Sequence, residues 1–363
     1  MIYRKKHAQV CHIAAPLTSS DTLDPMQIDL IIPDLIPPHD MRDAAFGGLA
    51  LTALQTLLAR TDKQVSAADG GLDGWLCRAF GVIKQQDWPL APITLLAEGG
   101  NPGKDYWLRA DPVHLKATRD KLLLVDSGAF TLSQSEAETC AAAFNAHFSG
   151  DGCTLYPLRP DRWYLKLDAP PALITQPVTA VAGKHIDPYV PQGADALKWH
   201  RLSNEIQMLF FSLPLNDARE ARGELTVNSL WLWGGGTLPQ LARAGNAKLW
   251  ADDPNARALA LAGARPNDKL PQSAASLAGG TDDALVLLEH LRGAAQYGDI
   301  IGWREGMQKM EADWFAPLLA MLKSGKIAGL RIIVPGATET LEWRVTRKML
   351  LKFWRRGSLA GLL

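Results

Sequence analysis

The chain has 363 residues, of which 47% are apolar, and its 38 basic side chains balance its 38 acidic ones. This length predicts about two domains, with a core large enough to need neither disulfides nor a structural metal. The neutral balance provides no basic field for nucleic acid or an anionic membrane surface. The apolar runs are too short to cross a bilayer, and the N-terminal segment lacks the apolar stretch of a secretory signal. Because the four cysteines are also scattered, we expect a reduced, soluble, cytoplasmic protein without a membrane partner.

Apolar runs and helical periodicities alternate along the chain, after an irregular arm predicted over residues 1–26. Strands are predicted at 28–32, 106–109, 122–126, 163–167, 226–233, 299–302 and 330–334. Helices are predicted at 44–60, 133–148, 194–211, 282–297 and 307–324. Ser133 and Glu136 have the spacing of a capping box at the start of the second helix. This alternation predicts βαβ units and a mostly parallel sheet that is covered by helices on both faces.

The loop after the first core strand contains three polar side chains, those of Asp34, His39 and Asp40. Ligands of open parallel sheets bind at the loops that follow the carboxyl ends of the strands. The loop therefore indicates metal or phosphate binding. A proline-rich turn with capping carboxylates is the alternative, because the spacing of these residues matches no metal motif.

A strand that leads into three glycines is the least ordinary segment of the chain. Residues 226–236 end in glycine amides that an anion can approach closely. The segment has neither the Gly-Lys-Ser/Thr of a P-loop nor the spaced glycines of a dinucleotide site, and a simple turn is the alternative. The predicted anion site comprises Asp34, Arg222, Asn228, Gly234, Gly235 and Gly236.

Two arginines outside that segment lie beside aromatic residues. Arg109 follows a Tyr-Trp-Leu run, and Arg162 precedes Trp163. An arginine in this setting suits the planar, bidentate binding of a carboxylate or a phosphate. Surface ion pairs of little energy are the alternative. We include both arginines among the candidate ligand-binding residues.

The order of these segments resembles the archaeal-type, cofactor-independent phosphoglycerate mutases of the alkaline phosphatase superfamily. A first strand that ends before Asp34, a strand that contains Arg109, and a return through Asn216 and Asn228 follow that order. The order is similar in more detail to the bacterial RpfE-type regulatory family. The resemblance implies an alkaline-phosphatase-like α/β core with a smaller inserted α+β domain. The implied parts are an arm at 1–26, a core at 27–100 and 200–363, and an insertion at 101–199.

The chain departs from the mutase pattern at the positions that bind metal. The mutases hold two metal ions with aspartates and histidines, whereas beyond His200 this chain has only His290. The family's nucleophile falls at Thr52, without the Pro-Asn that follows it in the mutases. The resemblance therefore implies that metal-dependent phosphoryl transfer is lost, and we expect no cofactor. A single Mg²⁺ or Mn²⁺ on oxygen ligands is left open. The carboxylates available for such an ion are Asp34, Asp40, Asp299, Glu305 and Glu311.

Three functions are left as alternatives. The first is a degenerate phosphoglycerate-mutase-like protein that binds a small anionic or phosphorylated ligand in a regulatory role, with a protein partner. The second is an active, metal-dependent (2,3-bisphosphoglycerate-independent) phosphoglycerate mutase or phosphatase. The third is a nucleic-acid-binding regulator, suggested by the basic C-terminal segment 347–356. The neutral net charge and the lack of a helix-turn-helix signature disfavour nucleic acid.

Overall fold

The computed structural model describes residues 26–241, 245–280 and 282–363. The predicted arm lies outside the described residues, except for the buried Met26. In the described part, the strands are β1 (Gln27–Ile31), β2 (Gln64–Ala67), β3 (Tyr106–Ala117), β4 (Leu122–Val125), β5 (Cys153–Arg159), β6 (Arg162–Leu167), β7 (Ser229–Gly236), β8 (Lys248–Trp250), β9 (Asn267–Asp268), β10 (Ala284–Leu287), β11 (Gly329–Pro335) and β12 (Glu339–Thr346).

The α-helices of the same part are α1 (Arg42–Phe46), α2 (Thr52–Ala59), α3 (Gly71–Ala79), α4 (Leu90–Ala97), α5 (Gln134–His147), α6 (Val178–Val181), α7 (Ala196–Phe211), α8 (Pro214–Ala221), α9 (Pro254–Ala262), α10 (Arg292–Gln296), α11 (Ile300–Met310), α12 (Ala316–Ser324) and α13 (Leu359–Leu362). Short 3-10 helices lie at His39–Met41, Asp187–Tyr189, Ala274–Leu277 and Arg347–Leu351. A π-helical turn at Glu311–Phe315 joins α11 to α12.

The larger sheet has seven strands in the order β2-β12-β11-β1-β10-β8-β9. Its centre is parallel, because β1 pairs with both β10 and β11, and β8 and β9 continue in the same direction. Only the edge formed by β12 and β2 is antiparallel within the described residues. Ile31 lies between Leu287 and Ile333, so the three central strands end at the same level. These strands are mostly buried and apolar since helices cover both faces of the sheet.

The smaller sheet has five strands, which pair in antiparallel fashion. The long strand β3 pairs with β4, β6 and β7, and β5 pairs with β6. An apolar cluster that includes Phe144, Trp163 and Phe210 packs α5 and α7 against this sheet. β7 completes the sheet although it lies beyond residue 199. The domain boundaries at 101 and 199 therefore stay a prediction.

The predicted fold class is confirmed: a mostly parallel sheet flanked by helices lies beside a separate antiparallel sheet. The capping box is confirmed as well. The hydroxyl of Ser133 accepts a hydrogen bond from the backbone amide of Glu136, and the Glu136 carboxylate accepts one from the amide of Ser133. Among the described residues, no helix combines the length and the apolar character needed to cross a bilayer.

Two neighbouring predictions in the C-terminal third are wrong. The predicted helix at 282–297 is a strand, β10, followed by the short helix α10. The β10 run is buried between β1 and β8, and a short apolar run has no periodicity that separates strand from helix. The predicted strand at 299–302 is the first turn of α11, where Asp299 Oδ1 accepts a hydrogen bond from the amide of Gly302.

Three other predicted elements differ in extent. The helix predicted at 44–60 is divided into α1 and α2, because Gly48 adopts a positive φ of 66° between them. The glycines after the strand at 226–233 form no turn but continue β7 to Gly236. The basic C-terminal segment is a 3-10 helix at Arg347–Leu351 that gives way to irregular chain.

Candidate ligand-binding cleft

A cleft of about 250 Å³ lies between the carboxyl edge of the larger sheet and the smaller sheet. Asp253, Asn255 and Arg292 line it from the larger sheet. Arg109 and Asp111 line it from β3 of the smaller sheet. Its other lining residues include Asp126, Ser127, Asp161, Arg162, Thr179 and Trp233. The carboxyl ends of parallel strands thus converge on a concave site, as expected for an open α/β sheet.

Arg109 is a buried cation in the wall of this cleft, and only 3% of the residue is exposed. Its guanidinium carbon lies 5.3 Å from the ring centre of Tyr164 and 5.2 Å from that of Trp233. Its Nε and Nη2 donate to Asp111 Oδ1 at 3.1 and 2.6 Å. Its buried Nη1 has no hydrogen-bond partner among the described residues. Buried donors are nearly always satisfied in folded proteins, so this atom is a candidate donor to a ligand.

Asp111 fixes the orientation of that guanidinium. Its Oδ1 accepts from Arg109, and its Oδ2 accepts a hydrogen bond of 2.7 Å from Trp233 Nε1. Burial lowers the pKa of Arg109, but the charges of Asp111, Tyr164 and Glu98 and the hydrogen bonds to Asp111 together raise it above its usual value. The positive charge is therefore retained, and aromatic rings and a paired carboxylate hold the guanidinium in the wall of the cleft.

Arg162 lies at the rim of the cleft, at the start of β6. Its guanidinium pairs with the carboxylate of Glu98 on one side and, through Nη1, with Asp161 Oδ2 at 3.0 Å on the other. The hydroxyl of Tyr164 donates to the second oxygen of Glu98 at 2.9 Å. The structure thus brings the two predicted arginines, Arg109 and Arg162, to the same cleft.

Arg292 lies at the opposite wall, where loops leave the parallel strands. Its Nη1 is 2.5 Å from Glu289 Oε1 and 3.6 Å from Asp253 Oδ2. Glu289 follows β10, and Asp253 follows β8 and caps α9 by accepting from the amide of Ala256 at 2.6 Å. Burial, followed by the charge of Asp253, raises the pKa of Glu289 to about 8, whereas Arg292 opposes the shift.

Asp34 and Asp73 complete this group of acids. Asp34 follows β1 with a φ of 60°; burial raises its pKa, and the charges of Arg292 and Lys184 act in the opposite direction. Asp73, on α3, accepts hydrogen bonds of 2.9 Å from Asn255 Nδ2 and from Thr179 Oγ1. Burial raises the pKa of Asp73, and the charge of Asp253 adds to the effect. We call Asp34, Asp73, Asp253 and Glu289 the acid group.

Of the predicted ligand-binding residues, Arg109 and Arg162 line the cleft, whereas Asp34, Arg222, Asn228 and the three glycines do not. Arg222 donates to both oxygens of Glu224 and to Glu136 Oε1 at the start of α5. Asn228 holds the backbone of Leu115, since its Oδ1 accepts from the amide and its Nδ2 donates to the carbonyl. Arg222 thus joins the end of α8 to the start of α5, and Asn228 joins β3 to the segment before β7.

The three glycines lie at the end of β7, next to the cleft. Gly234 lines a smaller adjoining pocket of about 70 Å³ with Asp87 and Thr175. The amide of Gly234 donates to Thr175 Oγ1 at 3.2 Å, and the amide of Gly235 donates to the Asp87 carboxylate. Gly236 is packed so closely that a Cβ there would lie 2.5 Å from Pro89. The glycine segment is thus engaged in close packing and in hydrogen bonds to neighbouring side chains.

The predicted metal ligands do not converge on one point. Asp40 is exposed, Asp299 caps α11, and Glu305 is exposed on α11. Glu311 accepts hydrogen bonds from the first amides of α2, those of Ala53 and Leu54. Among the described residues, no three His, Cys, Asp or Glu side chains are arranged to hold a metal ion.

Thr52, the candidate nucleophile, is exposed at the start of α2, and its side chain does not cap the helix.

The acid group contains Asp34 from the predicted metal loop, but its other members were not predicted from the sequence. Asp253 and Glu289 both follow short apolar runs, which become β8 and β10. Recognising these two runs as parallel strands would have placed both acids at the carboxyl edge.

The comparisons with known proteins agree with this architecture. No family model matches the chain. A curated protein described as a probable 2,3-bisphosphoglycerate-independent phosphoglycerate mutase, from Geobacter sulfurreducens, is 26% identical over 155 residues. The match covers 42% of this chain and 38% of that protein, so the chain spans well under two thirds of the relative's length.

Two solved structures align with most of this chain. The PH0037 protein from Pyrococcus horikoshii has a TM-score of 0.50 and 12% identity, over 89% of this chain and 88% of that one. A cofactor-independent phosphoglycerate mutase from Thermoplasma acidophilum has a TM-score of 0.45 and 15% identity, over 93% of this chain and 94% of that one. The chain is thus an α/β protein with two sheets and a cleft between them. In sequence, it is distantly similar to the cofactor-independent phosphoglycerate mutases.

Proposed function

We propose that the cleft binds a small anionic ligand, a phosphorylated or carboxylated metabolite, in a regulatory role in the cytoplasm. The observation that carries this proposal is the guanidinium of Arg109, a cleft-lining residue whose buried Nη1 has no hydrogen-bond partner among the described residues. A charged hydrogen bond is among the stronger ones a protein can offer, and a ligand oxygen would satisfy this donor.

The other residues that line the cleft suit a ligand that has both an anionic group and a hydroxyl group. Arg162 and Arg292 add positive charge at the rim and at the opposite wall. Asp126 and Asp161 add carboxylates, which accept hydrogen bonds from hydroxyl groups. A volume of about 250 Å³ suits a molecule of a few carbon atoms with an anionic group and a hydroxyl group.

The proposal of a degenerate, mutase-like protein depends on the residues that stand where the mutases bind metal. Divalent ions at such a site need several converging oxygen or imidazole ligands. The predicted carboxylates instead cap helices or face solvent, and the acid group surrounds the guanidinium of Arg292. The described side chains therefore favour a protein that does not hold a pair of metal ions. We place the chain with the RpfE-type regulatory proteins as part of the same proposal, and we expect a protein partner.

An active, metal-dependent phosphoglycerate mutase or phosphatase is the second candidate. The sequence similarity to a probable mutase favours it, as does the presence of four acids at the carboxyl edge. In this case a single Mg²⁺ or Mn²⁺ would be bound by carboxylate oxygens. A nucleic-acid-binding role has no comparable observation in its favour, since the formal net charge is +0.

Calorimetric titration of chelator-treated protein with 3-phosphoglycerate and with inorganic phosphate tests the proposal. The wild-type protein is expected to bind one anion per chain without added metal. The double variant Arg109→Met, Asp111→Asn removes the guanidinium without leaving a buried, unpaired carboxylate, and the introduced amide oxygen can still accept from Trp233. It is expected to weaken binding by at least about tenfold, or ~1.4 kcal/mol.

Arg222→Met is the matched control, because Arg222 is an arginine at the end of α8 that does not line the cleft. Its affinity for the anion is expected to equal that of the wild-type protein. Circular dichroism confirms that each variant is folded before it is titrated. Binding that is unchanged in the double variant, or no binding of either anion by the wild-type protein, contradicts the proposal.

A further inference from the structure

Arg292 is surrounded by carboxyl groups from four separate elements. Asp34 follows β1, Asp73 lies on α3, Asp253 follows β8 and Glu289 follows β10. Each of these four acids raises the pKa of Arg292 through its charge, against the opposing effect of burial. Only 18% of the Arg292 side chain is exposed. The guanidinium of Arg292 thus pairs directly with Glu289 and Asp253, and it acts on Asp73 and Asp34 through its charge.

Such a group of acids is stable only if a cation compensates it. Like charges that are brought together in a partly buried site repel each other, and removing the partner of a buried charge is strongly destabilising. The group spans three of the parallel strands and α3, so its repulsion would act on the centre of the fold. Arg292, a residue of the chain itself, supplies the positive charge that compensates the acid group.

The same oxygens would have to serve a divalent ion, which requires ligands at about 2.0–2.6 Å. Arg292 Nη1 already lies 2.5 Å from Glu289 Oε1. Both oxygens of Asp73 accept hydrogen bonds from neutral donors, one from Asn255 and one from Thr179. An ion on these ligands would overlap with the guanidinium and would be repelled by its charge.

We propose that Arg292 is a built-in cation that takes the place of a divalent metal at the carboxyl edge of the parallel sheet. It holds the acid group together and excludes metal ions from it. Because Arg292 also lines the cleft, it provides positive charge for the ligand anion without metal. This last consequence rests on the proposed function, whereas the exclusion of metal does not.

Arg292→Met tests the inference, because methionine is unbranched and fills similar space without a charge or donors. Free Mn²⁺, followed by electron paramagnetic resonance, is titrated against the full-length wild-type protein and each variant. Arg292→Lys is the matched control because it keeps the positive charge. Arg292→Met is expected to bind Mn²⁺ at least about tenfold more tightly than the wild-type protein and Arg292→Lys, whose binding at the acid group is weak. Addition of Mn²⁺ is also expected to raise the melting temperature of Arg292→Met alone.

Two results overturn the inference: stoichiometric Mn²⁺ binding by the wild-type protein, or a folded Arg292→Met variant that binds Mn²⁺ no better. If Arg292→Met does not fold without metal, its refolding with and without Mn²⁺ replaces the titration. Recovery that depends on Mn²⁺ supports the inference, and failure to recover in Mn²⁺, or equal recovery without it, contradicts it. These measurements use no anion, so their outcome is separate from that of the 3-phosphoglycerate titration.

Discussion

The hydroxyl of Tyr297 donates a hydrogen bond of 2.7 Å to Asp126 Oδ1 and joins the two sides of the cleft. Tyr297 follows α10 on the side of the larger sheet, and Asp126 follows β4 of the smaller sheet. A second contact lies beside it, where Gln296 Nε2 donates to the carbonyl of Thr179 at 2.7 Å. Burial and the charge of Asp126 raise the pKa of Tyr297, so the hydroxyl remains a donor.

Tyr297→Phe is expected to weaken this junction between the two sides of the cleft, because it removes the hydrogen bond to Asp126. Loss of one hydrogen bond to a charged acceptor lowers the free energy of unfolding by about 0.5–1.5 kcal/mol, and the affinity for the cleft anion falls with it. Chemical denaturation and calorimetric titration measure the two effects. Tyr156→Phe, in β5 and outside the cleft lining, is the control. Equal effects of both substitutions on anion affinity would show that the junction does not hold the cleft in shape.

The raised pKa of Glu289 predicts how the free energy of unfolding depends on pH. Burial, then the charges of Asp253 and Asp73, raise the pKa of Glu289 from 4.5 to about 8, while Arg292 opposes the shift. The folded protein therefore keeps a proton that the unfolded chain releases near pH 4.5. This contribution to stability is complete below that pH and is lost as the pH rises towards 8, with a slope of at most about 1.4 kcal/mol per pH unit.

Urea denaturation between about pH 5 and pH 8 measures this slope in the wild-type protein and in Glu289→Gln. The glutamine variant has no proton to release at this position, so its free energy of unfolding is expected to fall less over the same range. Glu305→Gln, on the exposed side of α11, is the matched control and retains the wild-type slope. An identical profile in wild type and Glu289→Gln would contradict the assigned shift.

Asn216 is expected to be structural rather than ligand-binding. Its Nδ2 donates to the carbonyls of Phe210 and Val227, and its Oδ1 accepts from the amide of Val227. Asn216→Ala leaves these buried backbone groups without partners and is expected to lower the free energy of unfolding by about 2–4 kcal/mol. Denaturation measures this loss. Asn101→Ala, at an exposed turn, serves as the control and is expected to change stability by less than about 1 kcal/mol.

Substitutions at the start of α2 distinguish a helix-capping role for Glu311 from a catalytic role for Thr52. Glu311 accepts hydrogen bonds from the amides of Ala53 and Leu54, where the helix dipole favours a negative charge. Glu311→Ala is expected to destabilise the protein by about 1–2 kcal/mol. Thr52→Ala, at the same helix start, is expected to change stability by less than about 0.5 kcal/mol. Thermal denaturation measures both, and loss of phosphatase or mutase turnover in Thr52→Ala would contradict our account of this position.

Sequence patterns that span only a few residues were sufficient to predict some of the helices and strands. The capping box of Ser133 and Glu136 located α5, and the apolar runs after Gln27 and Gly329 located the two central strands β1 and β11. β10 escaped because its four apolar residues have no distinguishing period, and its identity depends on pairing with strands far away in sequence.

The candidate site could be predicted only in part. Arg109 and Arg162 were found because they lie beside aromatic residues on strands. Arg292 escaped, since Asp34, Asp73 and Asp253 come from distant parts of the sequence and only Glu289 is a near neighbour. Arg222 does not line the cleft, and sequence spacing does not reveal that Glu136 and Glu224 pair with it.

A crystal structure of chelator-treated protein grown with 3-phosphoglycerate tests the central claim most directly. We predict that an anionic group of the ligand lies within hydrogen-bond distance of Arg109 Nη1, in the cleft between the two sheets, with Arg292 still paired with Glu289. A ligand that binds elsewhere, or one that enters the cleft only with two Mn²⁺ ions that displace Arg292, would contradict the account and would support an active, metal-dependent enzyme.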